Sequence, residues 1–169
     1  MRHLTAADYR VMPWANGRGT TTELIRVDRG GVLDWRLSMA QVVEDGPFSR
    51  LPGVERNLTV IKGPGFDLVG KGVRLRADPR QPVAFSGDLD FRAEGVVAPS
   101  VDFNVMVAGR AAEVHLVTGH VHLKPRRKRA VLCILVLAAR DLAAHDLLIS
   151  DRPFDFEGMG LVAAIPTSG

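Results

Sequence analysis

Hydrophobic and polar residues alternate over many short stretches of this sequence, and few stretches show helical spacing. The alternation is clearest in residues 35–40 (WRLSMA), 73–77 (VRLRA), 113–118 (EVHLVT) and 120–123 (HVHL). A period of two is typical of half-buried β-strands. The 17 glycines and 10 prolines interrupt the chain at short intervals. Many short strands joined by turns indicate a sandwich or barrel, so the sequence predicts an all-β fold.

Two continuous apolar runs, residues 58–61 and 131–137, break the alternation. Their length and their content of Val, Leu and Ile favour strands buried on both faces. The single cysteine, Cys133, lies in the second run, which predicts a buried structural thiol and excludes an internal disulfide framework. Residues 138–144 are expected to form a turn or a helical turn.

The sequence also contains a weak internal repeat. A strand–turn–strand unit runs from Arg56 to Asp78, and another runs over the same interval from Arg129 to Asp151, each with a proline within two residues of its end. Two copies of a small β-barrel in one chain would leave such a pattern. The chain would then divide near residues 95–101, into approximate halves 1–98 and 99–169.

Charge and hydropathy limit the classes of function. The net charge is only +3, from 22 basic and 19 acidic residues, which argues against a dedicated nucleic-acid binder. The longest apolar run, residues 130–139, is too short to span a bilayer, which needs about 20 residues. Polar and charged residues follow Met1, so no secretory signal is recognised. We therefore expect a soluble cytoplasmic protein with no membrane partner.

The segment PWANGRGTTTE, residues 13–23, combines a turn with an indole, several hydroxyls and charged groups. Asn-Gly is a strong turn signal, and the second glycine permits a close backbone approach. An apolar wall with a few placed polar groups suits a small polar ligand. A β-turn followed by a Thr-rich strand is the structural alternative. The candidate ligand-binding residues here are Trp14, Asn16, Gly17, Gly19, Thr20 and Glu23.

Arg56 follows an irregular loop, residues 45–55, that contains two prolines and two glycines. The loop would deliver Arg56 to the start of an apolar strand. An arginine at the mouth of a barrel can bind a carboxylate through paired N–H groups. The alternative is a structural contact of Arg56 with Glu55, Asp45 or a loop carbonyl.

The stretch VDFNVM, residues 101–106, places Asp102 and Asn104 on one side of a strand and Phe103 and Val105 on the other. An asparagine in apolar surroundings needs hydrogen-bond partners, either a ligand or the neighbouring backbone.

His120 and His122 have the spacing that aligns two imidazoles on one face of a strand, as a metal-binding barrel requires. The basic run that follows, KPRRKR at residues 124–129, would oppose a bound cation. No aromatic residue is interleaved with this run, which favours a solvated loop over a nucleic-acid surface. The sequence offers no evident hydrolase triad.

Taken together, these segments resemble the HutD/Ves family. The matching pieces are PWANGRGTTTEL, WRLSMAQVVEDGPFSRLPGVERNLTVIKGPGFDL, AFSGD and VDFNVM, in that order, over residues 13 to about 110. The resemblance implies a bicupin, two small jelly-roll β-barrels formed by one chain. It also implies a protein without established catalysis, encoded with bacterial histidine-utilisation genes and binding a metabolite such as urocanate or N-formylglutamate. We expect no cofactor. Other members are described as stress-induced.

The resemblance assigns ligand-binding roles residue by residue, with Arg56 expected to bind a carboxylate. It does not supply the His120 and His122 pair. The residues that it carries over are Trp14, Asn16, Gly17, Gly19, Thr20, Glu23, Arg56, Asp102, Asn104 and Met106.

Three hypotheses follow. The leading one is a non-catalytic bicupin that binds a small carboxylate metabolite and modulates histidine utilisation or a stress response. The second is a metal-dependent cupin enzyme that uses His120 and His122. The third is a protein- or nucleic-acid-interaction module acting through residues 124–129. A homodimer is compatible with each of them.

Overall fold

The computed structural model describes residues 1–14, 17, 19–126 and 129–167. These residues form strands and turns, with one three-residue 3-10 turn at Ala6–Asp8. The chain divides into two compact units: residues 10–110, called here the first barrel, and residues 1–9 with 111–169, called the second barrel. The prediction of an all-β fold with two units is confirmed.

The division differs from the halves expected from the sequence, 1–98 and 99–169. Residues 100–108 form a central strand of the first barrel, paired on both edges, so they cannot begin the second. Residues 2–4 pair with residues 147–149 and so belong to the second barrel. A sequence boundary drawn at the Gly- and Pro-containing stretch 95–101 misses both pairings, because strand partners are not encoded locally.

The larger sheet of the first barrel has six antiparallel strands. In spatial order these are β2 (Arg10–Pro13), β3 (Thr20–Arg29), β4 (Val32–Val42), β11 (Ser100–Ala108), β6 (Val54–Lys62) and β9 (Val83–Ser86). The β3–β4 hairpin turns at Gly30 and Gly31, both with positive φ (58° and 78°). A two-residue hairpin of this kind needs positive φ at both positions, which glycine adopts without strain.

A smaller four-stranded sheet faces the first. Its strands, in spatial order, are β5 (Gly46–Pro47), β10 (Arg92–Glu94), β7 (Phe66–Gly70) and β8 (Val73–Ala77). The apolar core between the two sheets takes side chains from both of them. Its buried members are Val42, Leu58, Val60, Phe66, Leu68, Ala77, Phe85, Phe91 and Ala93.

The second barrel is built on one five-stranded antiparallel sheet. The strands, in spatial order, are β1 (Arg2–Leu4), β14 (Leu147–Ser150), β13 (Ala130–Ala138), β15 (Phe154–Pro166) and β12 (Glu113–Leu123). Six apolar side chains fill its core, with further apolar residues packed around them: Leu132, Ile134, Val136, Leu148, Phe156 and Val162.

The apolar runs behave as the sequence predicts. Residues 58–61 lie in β6 and residues 131–137 in β13, both largely buried. Cys133 is fully buried, and burial raises the pKa of its thiol. Residues 139–146 form the turn that joins β13 to β14. Among the described residues there is no helix long and apolar enough to cross a membrane.

Candidate functional site

Strand register gathers polar side chains on one face of the six-stranded sheet. β11 lies between β4 and β6, and directly paired residues of antiparallel strands share a face. Met106 pairs with Arg36 on β4 and with Arg56 on β6. Asn104, two residues earlier, pairs with Ser38. Two arginines, an amide and a hydroxyl therefore stand on the same surface inside the first barrel.

A cavity of about 810 Å³ opens over this surface. Small-molecule sites commonly enclose roughly 300–1,000 Å³, with apolar walls and a few polar groups. The sheet contributes Thr21, Ala40 and the five residues just placed, and residues 43–49 contribute most of the remaining lining, including Phe48 and Ser49.

Arg56 is the most enclosed cation of the cavity, since only 7% of the residue is exposed. Its Nη1 donates to the carbonyl of Ser49 (3.0 Å) and its Nη2 to Oδ1 of Asn104 (3.1 Å). The guanidinium lies 5.0 Å from the ring centroid of Phe85 and 5.6 Å from that of Phe48. Its buried Nε has no hydrogen-bond partner among the described residues. Because a guanidinium has five N–H donors, three of them are not taken up by these contacts.

Asn104 joins Arg56 to a buried carboxyl. The amide Nδ2 of Asn104 donates to Oδ1 of Asp102 in a short hydrogen bond, and its Oδ1 accepts from Arg56. These two contacts fix which way the amide faces. Asp102 is fully buried, and within the described part of the chain its Oδ2 has no partner. The hydrogen-bond partners of Asn104 are thus two side chains, those of Arg56 and Asp102.

Burial changes the pKa of both ionisable groups in this chain of contacts. Desolvation raises the pKa of Asp102 to about 7, although Arg56 and the amide of Asn104 oppose the rise. Desolvation lowers the pKa of Arg56 to about 10, against the attraction of Asp102, and nearby Arg36 lowers it further. At neutral pH Arg56 is therefore cationic, beside a carboxyl that is only partly ionised.

Arg36 is a second cation of the cavity that sequence reasoning missed. Its Nε lies 2.7 Å from Oε2 of Glu23, and the side chain is 18% exposed. The alternating stretch WRLSMA already placed Arg36 and Ser38 on one face of a strand. What the stretch could not show is that this face is the interior one and that β11 aligns it with Arg56.

The N-terminal motif forms another part of the cavity lining through Trp14. The indole Nε1 of Trp14 donates to Oγ1 of Thr21 (2.9 Å), and the backbone N–H of Trp14 donates to the carbonyl of Gly19 (2.9 Å). A Cβ at Gly19 would lie 2.8 Å from two ring carbons of Trp14. The close approach expected of Gly19 is thus an approach to the indole, and it holds the ring in place.

Of the remaining candidate ligand-binding residues, some lie at the cavity and others are exposed. Glu23 contacts Arg36, and Met106, 7% exposed, lines the cavity between the two arginines. Thr20 is exposed, and it is Thr21 that lines the cavity, since neighbours on a strand face opposite ways. Gly17 is exposed in the turn, with positive φ (68°), and donates to the carbonyl of Trp14. Asn16 lies outside the described residues.

His120 and His122 do share one strand face, as predicted, but it is the outer face of the second barrel. Val121 and Leu123, which alternate with them, pack against the apolar core. The His122 side chain is 60% exposed, and its Nδ1 lies 2.8 Å from Oδ1 of Asp155. No group of three or more His, Cys, Asp or Glu side chains in the described ranges could hold a metal ion.

The basic run contains two residues, Arg127 and Lys128, that lie outside the described ranges. Arg126 is 81% exposed at its side chain, and its Nη1 lies 3.7 Å from Oε2 of Glu113. A contact this long and this exposed contributes little to stability. The described part of the run behaves as the solvated loop expected from its composition.

The fold and the cavity define an all-β, cupin-like protein with a ligand-sized polar site inside one barrel. The chain belongs to the HutD family, whose sequence model, described as HutD, matches residues 6–157. This family is associated with histidine utilisation. The resemblance inferred from the motifs is confirmed.

Similar proteins agree with this assignment. An uncharacterized 21.2 kDa protein in the hutC 3′ region of Pseudomonas putida is 40% identical over 109 residues, which are 62% of this chain and 57% of that protein. The protein Ves of Cronobacter sakazakii is 35% identical over 104 residues, 59% of this chain and 58% of Ves. These matches thus span less than two thirds of either relative.

Similarity to a solved structure covers nearly the whole chain. The structure of HutD from Pseudomonas fluorescens SBW25, described for a formate condition, has a TM-score of 0.87 at 29% identity. It covers 99% of this chain and 99% of that chain. The cupin-like two-barrel architecture therefore holds over both units.

Proposed function

We propose that this protein is a non-catalytic, cytoplasmic binder of a small carboxylate metabolite, of the urocanate or N-formylglutamate class. The metabolite occupies the cavity of the first barrel with its carboxylate on Arg56. Binding then modulates histidine utilisation or a stress response.

The observation that carries the proposal is the unsatisfied state of the Arg56 guanidinium. It is a buried cation that acts on Asp102, whose own burial raises its pKa to about 7 and leaves its carboxyl only partly ionised near neutral pH. A buried charge without a full counter-charge is costly, so an anion that reaches it gains strongly. A carboxylate matches the planar N–H fork and would use donors that the protein leaves free.

The surroundings of Arg56 support binding of an organic acid rather than a simple ion. Phe48 and Phe85 flank the guanidinium, and Met106 and Ala40 give the cavity apolar surface next to its polar groups. Formate, named in the description of the HutD structure from Pseudomonas fluorescens, is the smallest carboxylate. It is therefore a natural minimal probe of the Arg56 end of the cavity.

The metal-enzyme alternative receives no support from the geometry. A cupin metal site would need the imidazoles of His120 and His122 inside a barrel, whereas both lie on an outer, exposed face. The proposal therefore assigns neither residue a catalytic role.

A thermal-shift panel tests the proposal. Metal-free protein is heated with urocanate, N-formylglutamate, formate, histidine and glutamate in turn. A ligand that binds only the folded state adds about 2.7 kcal/mol of stability at a hundredfold excess over its dissociation constant. We expect at least one acid to raise the melting temperature of the wild type and of Arg92→Ala, which removes an exposed arginine elsewhere in the same barrel. Arg56→Ala should abolish the shift, and no shift with any acid contradicts the proposal.

A further inference from the structure

We infer that Arg36 forms a second oxygen-binding subsite in the same cavity, so that the preferred ligand is a short-chain acid with a second carboxylate or amide oxygen at its far end. This inference rests on the proposed function, because it takes the first carboxylate to be bound by Arg56.

Strand register sets the distance between the two arginines. Arg36 and Arg56 lie on either side of Met106, one strand away in each direction and in the same row. Neighbouring strands are spaced by about 4.8 Å, so the two Cα atoms are separated by about 10 Å. Both side chains project from the same face into the cavity. Two guanidinium groups on long side chains can thus converge on the two ends of one small molecule.

Arg36 has donors available for such a ligand. Its Nε lies 2.7 Å from Oε2 of Glu23 in an ion pair, but this Nε has no hydrogen-bond partner among the described residues. No described residue accepts a hydrogen bond from Nη1 or Nη2 of Arg36, and neither atom is fully buried. The ion pair with Glu23 therefore restrains the guanidinium of this cavity-lining residue and leaves its Nη N–H groups available to a ligand.

The charges of the site separate the roles of the two arginines. Arg36 is paired with the carboxylate of Glu23, whereas the hydrogen-bond acceptors of Arg56 are a backbone carbonyl and an amide oxygen. The first carboxylate of the ligand is therefore expected on Arg56. Arg36, already paired with Glu23, would recognise the second group by the geometry of its N–H fork rather than by net charge. Both a carboxylate and a neutral amide oxygen satisfy that requirement.

Matched ligands test the subsite by calorimetry. The series is glutarate, its monoamide, and pentanoate, in which a methyl group replaces the second carboxylate. A hydrogen bond to a charged group changes affinity by about tenfold or more. We expect the wild type to bind glutarate and the monoamide about tenfold or more tightly than pentanoate.

The double variant Glu23→Gln/Arg36→Gln removes the ion pair without leaving either charge alone. It should bind all three ligands with the affinity that the wild type has for pentanoate. Arg36→Lys, which keeps the charge and the contact with Glu23 but loses the fork, provides a second variant should the first fold poorly. It should reduce the preference for glutarate over pentanoate while leaving pentanoate binding unchanged.

Equal affinity of the wild type for glutarate and pentanoate would overturn the Arg36 subsite and leave the carboxylate site at Arg56 intact. Equal weakening of all three ligands in both variants would also overturn it, since Arg36 would then only shape the cavity. Absence of binding by every acid would overturn the proposed function itself, and the subsite with it.

Discussion

Nη2 of Arg56 donates a 3.1 Å hydrogen bond to Oδ1 of Asn104, across the ladder that joins β6 to β11. Neither residue could hold this geometry alone. The amide is oriented by its second contact, with Asp102, and the guanidinium is held between two phenyl rings. The site is therefore prearranged by side chains from four different segments of the chain.

The first prediction concerns Asn104→Ala. The substitution removes the acceptor for Nη2 of Arg56 and the donor to Asp102, leaving two buried groups unsatisfied. Because each unsatisfied buried group costs about 1–3 kcal/mol, we expect a loss of roughly 2–4 kcal/mol in the free energy of unfolding, and at least tenfold weaker acid binding. Urea unfolding and calorimetry measure the two effects. Asn57→Ala, at a buried asparagine that directly follows Arg56 on β6 and so faces the other side of the sheet, provides the control. Unchanged acid affinity in Asn104→Ala would show that Asn104 does not position Arg56.

The second prediction concerns pH. Burial raises the pKa of Asp102 to about 7, so the neutral form contributes stability that is fully present below its ordinary value of 3.8 and is lost as pH rises through about 7. The same ionisation places a negative charge near Arg56. The affinity for an acid with no other group titrating near neutral pH, such as pentanoate, should therefore rise as pH falls from about 8 to about 6.

Asp102→Asn is the matched variant for that titration, because an amide of the same shape cannot ionise. Its affinity for pentanoate should stay nearly constant over the same range, at the level that the wild type reaches at low pH. Arg36 also acts on Arg56, whose pKa it lowers. If Asp102→Asn keeps the pH dependence of the wild type, a group other than Asp102 causes that dependence.

The third prediction concerns the glycine under the indole. Gly19→Ala places a Cβ 2.8 Å from two ring carbons of Trp14, which must then move. We expect a loss of about 1–3 kcal/mol in the free energy of unfolding, and a change in tryptophan fluorescence as the hydrogen bond from Trp14 to Thr21 breaks. Gly46→Ala, where nothing lies within 4 Å of the new Cβ, should be nearly neutral. Equal effects at the two glycines would contradict the packing of Trp14 on Gly19.

The fourth prediction concerns Cys133. A fully buried thiol with a raised pKa is a poor nucleophile, because only the thiolate reacts. A thiol-specific reagent should modify the folded protein only at the rate of unfolding, and should modify it fully in denaturant. Rapid stoichiometric modification of the folded protein would show that the second barrel opens readily.

The local alternation of the sequence was enough to predict the strands and to place Asp102 and Asn104 on one face of a strand. Alternation placed Asp102 and Asn104 opposite Phe103 and Val105, and the register confirms that Asp102 and Asn104 share the face of Arg56. The sequence also predicted that the guanidinium of Arg56 binds a carboxylate, and this remains a prediction.

The features of the structure that depend on pairing between distant strands could not be predicted from the sequence. Arg36 and Ser38 were recognised as one face of a strand, but only the alignment of β4 with β11 places that face beside Arg56. Likewise His120 and His122 were recognised as neighbours on one face, and only the packing of Val121 and Leu123 shows that the face is outside. The domain boundary fails for the same reason, since residues 100–108 are joined to their barrel by non-local ladders.

The most direct measurement is a calorimetric titration of the best-binding acid of the panel into wild type, Arg56→Ala and Arg92→Ala. We expect one site per chain in the wild type and in Arg92→Ala, and binding weakened by about tenfold or more in Arg56→Ala, with all three proteins folded. Undiminished binding in folded Arg56→Ala would contradict the claim that Arg56 anchors the carboxylate.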